Sequence, residues 1–215
     1  MLKVFGINGS PRSGWNTRMM VKRALEGAAS VGAQTKMINL GKLNFDPCVS
    51  CLVCKKGPEY QGKCAHKDDL TPILEELKEA DAIVLGTPIY FSKECALYHS
   101  FWERFAFSNS IYGKTYADCR IYPKNIKSAV LFTMNVPPEL AQAYEPLFER
   151  IKNETISMLG PDCKTYAAMN TLQVKDYSKY DIKLFDAESK YKSRKEQFPL
   201  DLEEAYKIGK WLGMK

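Results

Sequence analysis

The apolar run Leu2-Lys3-Val4-Phe5-Gly6-Ile7 passes directly into a polar loop, Ser10-Pro11-Arg12-Ser13-Gly14-Trp15-Asn16-Thr17. A helical pattern then starts at once, with Met19, Met20, Arg23, Ala24, Leu25 and Ala28. Strand, polar loop, helix start is the order in which an α/β protein builds an anion site. The first backbone N–H groups of a helix have no internal partner, and that end of the helix dipole attracts negative charge. Ser10, Asn16 and Thr17 add hydroxyl and amide donors, and Arg12 adds a positive charge. The loop lacks the Gly-Lys-Ser/Thr ending of an ATP-binding P-loop and the Gly-x-Gly-x-x-Gly spacing of a dinucleotide fold. A phosphomonoester site, of the kind that holds FMN, remains. An ordinary capped βα loop is the plainer alternative, disfavoured by the loop's length and its variety of donors.

The rest of the chain is consistent with a single α/β domain over residues 1–215, with a cysteine loop at 47–67 and a C-terminal extension at 171–215. Strands are expected at Leu2 to Asn8, Gln34 to Leu40, Ala82 to Gly86, Ser128 to Thr133 and Cys163 to Ala168. The run Ala82-Ile83-Val84-Leu85-Gly86 is apolar throughout, as in a parallel strand covered on both faces. Helices are expected at about Thr17 to Val31, from Thr71-Pro72 onward, at Lys93 to Phe107, at Glu139 to Leu159 and at Leu200 to Leu212. Thr71 reads as an N-cap followed by proline at the first helical position. Five strands alternating with helices predict a five-stranded parallel sheet with helices on both faces, in the flavodoxin-like order 2-1-3-4-5.

In such a sheet, ligands bind beyond the carboxyl ends of the strands. Three loops fall there. The first is residues 9–17. The second is Thr87-Pro88-Ile89-Tyr90-Phe91-Ser92, where Pro88 fixes its own φ and restricts Thr87 to an extended shape. A loop of that stiffness can present backbone N–H groups to the polar edge of an isoalloxazine with an aromatic ring beside it. The plainer alternative is that Tyr90 and Phe91 pack into the core. The third is Thr133-Met134-Asn135-Val136-Pro137-Pro138, polar again at a strand end, within reach of a ribityl chain or ring.

Four of the seven cysteines, Cys48, Cys51, Cys54 and Cys64, fall within a short polar segment; Cys95, Cys119 and Cys163 are isolated. An odd count without a secretion signal argues against a disulfide framework. Short x-x gaps let three thiolates wrap one iron–sulfur cluster, but a structural zinc site and free thiols fit the same residues. His66 is a possible zinc ligand, with a surface-loop histidine the safer reading. His99 reads as a packing or solvent-facing helix residue. A net charge of +6, spread and interleaved with acids, gives no nucleic-acid footprint but suits an anionic nucleotide. No run approaches ~20 apolar residues, so neither a membrane span nor a signal peptide is expected, and the expected location is cytoplasmic.

Several motifs together resemble the NADPH-dependent FMN reductase family, in particular its branch of iron–sulfur flavoproteins. They are Gly9-Ser10-Pro11-Arg12 with Asn16-Thr17, Pro47-Cys48-x-x-Cys51-x-x-Cys54, Gly62-Lys63-Cys64 leading to Lys67-Asp68-Asp69-Leu70, and Ala80 through Phe91. They span about residues 1–105. The resemblance implies a flavodoxin-like fold with FMN phosphate at Ser10, Arg12, Asn16 and Thr17. It also implies the isoalloxazine at Pro88, Ile89, Tyr90 and Phe91, assembly as a homodimer or homotetramer, and a [4Fe–4S] cluster in some members. Where the family often has glycine before the Asn-Thr pair, this chain has Trp15.

No Ser-His-Asp or Cys-His-Asn set is suggested and no catalytic side chain is expected, since a flavin supplies the redox chemistry itself. The leading functional reading is an FMN-dependent NAD(P)H oxidoreductase passing electrons to a small acceptor such as a quinone, free flavin or metal. The alternative is a flavodoxin-like or iron–sulfur electron carrier reduced by ferredoxin. A sensor built on the same scaffold is disfavoured by the intact phosphate and ring loops.

Overall fold

The computed structural model describes residues 1–215, the side chains of residues 116 and 117 excepted. Six strands form: β1 (Lys3–Asn8), β2 (Gln34–Asn39), β3 (Ala82–Tyr90), β4 (Lys93–Glu94), β5 (Lys127–Thr133) and β6 (Cys163–Ala168). Five of them run parallel in the order β2-β1-β3-β5-β6. That is the expected doubly wound order, and the expected count of five is corrected to six by β4. This two-residue strand folds back antiparallel on the end of β3, pairing Ile89 with Glu94 and Tyr90 with Lys93. So short a strand has no sequence period of its own, and its residues read instead as the start of the next helix.

The helices are α1 (Asn16–Ser30), α2 (Thr71–Leu77), α3 (Ala96–Ser108), α4 (Glu145–Leu159), α5 (Ala187–Glu196) and α6 (Phe198–Leu212). Thr71 is the first residue of α2 and not its cap. The Asp68 carboxylate does the capping, accepting from Leu70 N at 3.0 Å and Thr71 N at 3.2 Å. The helix expected over 139–159 divides in two. A 3-10 stretch, Pro138–Tyr144, precedes α4, which restarts with Pro146 in its first turn, where a missing N–H costs nothing. The helix α5 lies inside the segment read as an irregular extension.

Side chains alternate across the strands, as the pleat requires. Phe5, Ile7, Ile83, Leu85, Val130 and Phe132 face a core built with α2, α3 and α4. Val4, Ala82, Val84, Ala129 and Leu131 face the opposite core, built with α1 and α6. The second layer is thin because two glycines let its helices touch backbone to backbone. A Cβ on Gly209 would stand 1.8 Å from the Ala24 carbonyl oxygen, and one on Gly27 would stand 2.1 Å from that of Tyr206. This close crossing fixes the roll of α1, and with it the direction in which the helix start faces. Among the described residues, no helix is long and apolar enough to cross a membrane.

Candidate functional site

At the carboxyl edge of the sheet a cleft of about 1220 Å³ opens between the three loops. Typical small-molecule sites occupy ~300–1,000 Å³, so there is room for a nucleotide and a second small molecule. Ser10, Arg12, Asn16, Thr17, Pro88, Ile89, Tyr90, Phe91, Thr133, Met134 and Asn135 all line it. The register explains their meeting. Asn8 lies beside Gly86 and Pro88 beside Thr133, so the three chains leave the sheet at one level.

The first loop is shaped from within. Gly9 N donates to Gly86 O at 2.8 Å, Ser10 N to Asn8 Oδ1 at 3.3 Å and Arg12 N to Ser10 Oγ at 3.1 Å. Ser10 Oγ is thus used as an acceptor, and its hydroxyl lies near the Tyr90 phenol. No side chain caps α1, whose N-cap residue is Trp15. Its first-turn N–H groups therefore open toward the cleft without a protein acceptor. The guanidinium of Arg12 lies 3.8 Å over the Trp15 ring, which accounts for tryptophan at this position as a platform for the cation. Arg12 also donates to Gln173 O at 2.6 Å.

Asn16 and Thr17 are buried, and their side chains are committed to neighbours. Asn16 Nδ2 donates to Leu172 O at 2.9 Å, and Asn16 Oδ1 accepts from Arg194 at 3.0 Å. The Thr17 and Thr133 hydroxyls are 2.7 Å apart and tie the first loop to the third. Asn16 thus lines the cleft while its carboxamide binds the C-terminal extension.

The second loop is the β3–β4 hairpin. Its turn residues, Phe91 at φ 49° and Ser92 at φ 59°, occupy the left-handed region that normally selects glycine or asparagine. Neither aromatic packs in the core. Tyr90 is 43% exposed and Phe91 is fully exposed at the mouth of the cleft. Burial of the rest of its ring pushes the Tyr90 phenol up, and nearby Cys95 adds to this. Beyond the hairpin stands Cys95, buried and at the start of α3, whose thiol donates to Gly9 O at 2.9 Å. Burial pushes this thiol up despite the helix N–H groups facing it.

In the third loop Met134 N pairs with Ala168 O, while Met134 O accepts from the Thr171 backbone and hydroxyl, both at 2.9 Å. Asn135 Nδ2 donates to Gln173 Oε1 at 2.7 Å. Its Oδ1 is buried without a partner among the described residues. An unsatisfied acceptor lining a cleft points to a ligand donor.

Sequence reasoning missed one wall of this cleft. Glu94, His99, Tyr144, Leu147, Arg150, Leu172, Gln173, Leu184 and Phe185 also line it. Glu94 receives Arg150 at 2.7 Å and the His99 ring at 3.1 Å. Burial works to raise its carboxyl, but the hydrogen bonds from its own backbone, Arg150 and His99 outweigh this and hold it low. A Glu-plus-Arg pairing 56 residues apart, on β4 and α4, leaves no local signature.

A second, smaller cavity lies at the far end of α3. Cys48, Cys51, Cys54 and Cys64 all line it, together with Val49, Leu52, Phe107, His66 and Arg104. Ser50 at φ 52° and Leu52 at φ 58° are left-handed, and these two bends turn three cysteines toward one side. Arg104 is 1% exposed, and it is held by the Asp68 carboxylate and by Thr71 Oγ1 at 3.0 Å. Burial pushes the Cys54 thiol up, against the pull of Lys55. Among the described residues no three His, Cys, Asp or Glu side chains converge on one ion. A single zinc would need four ligand atoms about 2.0–2.3 Å from one point. A multi-iron cluster sets its thiolates on different irons and spaces them more widely; the four cysteines line a cavity of about 20 Å³.

Comparison with known proteins gives related results at two levels. An iron–sulfur flavoprotein of Methanocaldococcus jannaschii is 44% identical over 90 residues, covering 42% of this chain and 45% of that protein. One from Methanosarcina thermophila is 31% identical over 103 residues, covering 48% and 52%. The chain thus spans about half the length of the curated relatives it matches. Among solved structures, an NAD(P)H:quinone oxidoreductase from Methanothermobacter marburgensis superposes with TM-score 0.69 at 16% identity, covering 100% of this chain and 98% of that one. An FMN-dependent NADH-azoreductase from Bacillus anthracis, solved with FMN, gives 0.66 at 14%, covering 99% and 100%. At such identities these two establish the shared fold. The family model for NADPH-dependent FMN reductase matches residues 2–118, more than half of the chain and all of the first two loops. The chain belongs to the NADPH-dependent FMN reductase family.

Proposed function

We propose that this protein is a flavoprotein oxidoreductase that holds FMN in the large cleft and passes electrons from NAD(P)H to a small acceptor, a quinone, a flavin or a metal. One observation carries the reading. Eleven residues from three loops distant in sequence line a single cleft around an uncapped helix start. The orphaned Asn135 Oδ1 adds a buried acceptor waiting for a donor. When bound, FMN supplies the electron transfer between nicotinamide and acceptor. The chain's own residues do the rest. The first turn of α1, Ser10 Oγ and Arg12 hold the phosphate. The β3–β4 hairpin carries the ring edge, and Tyr90 and Phe91 flank the open face. Thr133 and Asn135 orient the ribityl side. Glu94, fixed by Arg150, orients the His99 ring at the rim where an acceptor would sit.

The cysteine cavity supports a further element, an iron–sulfur cluster held by Cys48, Cys51, Cys54 and Cys64. It favours a second reading, in which the protein is an electron carrier that exchanges electrons with ferredoxin and makes little use of pyridine nucleotide. Anaerobic addition of NADH or NADPH to the yellow protein separates the two. Bleaching of the flavin bands by either nucleotide is the expected result. Failure of both, with rapid reduction by ferredoxin, overturns the reductase reading in favour of the carrier.

A further inference from the structure

The helix α5 is strongly polar, yet two of its side chains turn inward. Asp186 caps it, accepting from Glu188 N and Ser189 N at 3.1 Å each, so its start is defined. Lys190 and Arg194, four residues apart, share one face. Lys190 is 1% exposed; its Nζ donates to Asn135 O and lies 4.6 Å from the Phe185 ring centre. Arg194 is half-buried over the Phe198 ring at 4.4 Å, and donates to Asn16 Oδ1 at 3.0 Å. One cation thus stands behind the third loop, the other behind the start of α1.

Neither has a carboxylate within ion-pair distance among the described residues. Burial pulls both away from their charged forms, with nothing opposing it. A buried cation without a counter-charge is among the costliest arrangements a fold can retain. Here one such cation, Lys190, and a second, half-buried one, Arg194, stand on one helix, and both hold residues that line the same cleft. Their missing counter-charge lies most economically in the cleft itself.

We propose that α5 is an electrostatic clamp for an anionic ligand, in which Lys190 and Arg194 act through Asn135 and Asn16 to favour a phosphate-bearing flavin over its phosphate-free form and dock the helix when that ligand is bound. This rests on the flavin reading and assigns two positioning residues to it. Arg194 backs the phosphate end and Lys190 the ribityl and ring end. With the cleft empty, the two cations repel one another and lack their anion, so α5 is held less firmly.

The test compares FMN with riboflavin on cofactor-free protein, by quenching of flavin fluorescence, together with hydrogen exchange of the α5 amides. In the wild type, FMN should bind more tightly than riboflavin and slow exchange across residues 187–196. Arg194→Met should shrink the FMN-over-riboflavin preference about tenfold while riboflavin affinity stays near its original value. Arg194→Lys should restore most of it. Lys190→Met should weaken FMN and reduce the protection of α5, and Lys190→Arg should retain both. If the Met variants weaken both flavins in equal proportion, or FMN leaves α5 exchange unchanged, the clamp is overturned and the residues are merely structural. If the wild type binds neither flavin, the flavin reading falls first and takes the clamp with it.

Discussion

Thr17 shows how a residue can line the cleft while its side chain is engaged by a neighbouring loop. Its hydroxyl pairs with Thr133 Oγ1 at 2.7 Å and so couples two loops, while Ser10 Oγ accepts from Arg12 N at 3.1 Å and lines the cleft. Replacing Ser10 by Ala should therefore weaken FMN by about 1.5–3 kcal/mol, the loss of a charge-assisted hydrogen bond. Thr17→Ala should weaken it less, through loosening of the third loop. Equal losses measured by flavin titration would contradict this division. Lys190 gives a pH signature. Burial lowers its pKa to about 8 from 10.5 in the unfolded chain. Between those values the unfolded state binds more protons, so stability rises with pH across that window. Below pH 8 both states are protonated and the cost of the buried charge is fully present. The melting temperature of cofactor-free protein, taken as wild type minus Lys190→Met, should climb from pH 8 to 10.5. A flat difference would show that Lys190 is not desolvated as described. Lys190 and Arg194 were opaque in the sequence for one reason. Long polar side chains look alike whether they reach water or reach inward, and only the tertiary position of α5 decides.

At the scale of elements, legibility followed local signals. Strands β1, β3 and β5 carry apolar runs, and these strands, with β2 and β6, form within a few residues of expectation. Gly160, at φ 121°, ends α4 and is followed by Pro161, a pair that stops a helix. By contrast, α5 buries only Lys190 and carries no apolar stripe, so no periodicity announced it. The hairpin between β3 and β4 was hidden because its turn breaks the usual chemistry, with Phe91 and Ser92 where Asn and Gly belong. Left-handed backbone costs an ordinary residue roughly 1–2 kcal/mol. Such strain is kept at functional sites. Phe91→Asn combined with Ser92→Gly should raise the melting temperature while impairing turnover or acceptor affinity. A variant that is more stable and equally active would deny the exposed Phe91 any part in the site.

The whole molecule sets two candidate redox sites on one helix. The cleft lies at the start of α3, where Cys95 touches the first loop, and the cysteine cavity lies near its end, at Arg104 and Phe107. Nine residues of helix, from Cys95 to Arg104, span about 13 Å at 1.5 Å each, so the two are separate sites within one core. Their supports are also separate. The cleft rests on the sheet edge and on α1, fixed by its crossing with α6 at Gly27 and Gly209. The cavity rests on a loop turned by Ser50 and Leu52 and anchored by the Asp68–Arg104 ion pair. Removing a ligand from one should therefore leave the other standing. Cys51→Ser, purified anaerobically, is expected to lose its iron and its non-flavin absorbance while FMN content stays at one per chain. Electron transfer from reduced flavin to a large external acceptor should fall, whereas bleaching by NAD(P)H should persist. Loss of FMN along with the iron would mean that the cysteine loop supports the cleft after all, and that the two-site architecture argued from α3 is wrong. Iron-free wild-type protein with freely titrating thiols would remove the cluster and leave the flavin site intact, because that site rests on residues 9–17, 87–92 and 133–135 and on none of the four cysteines.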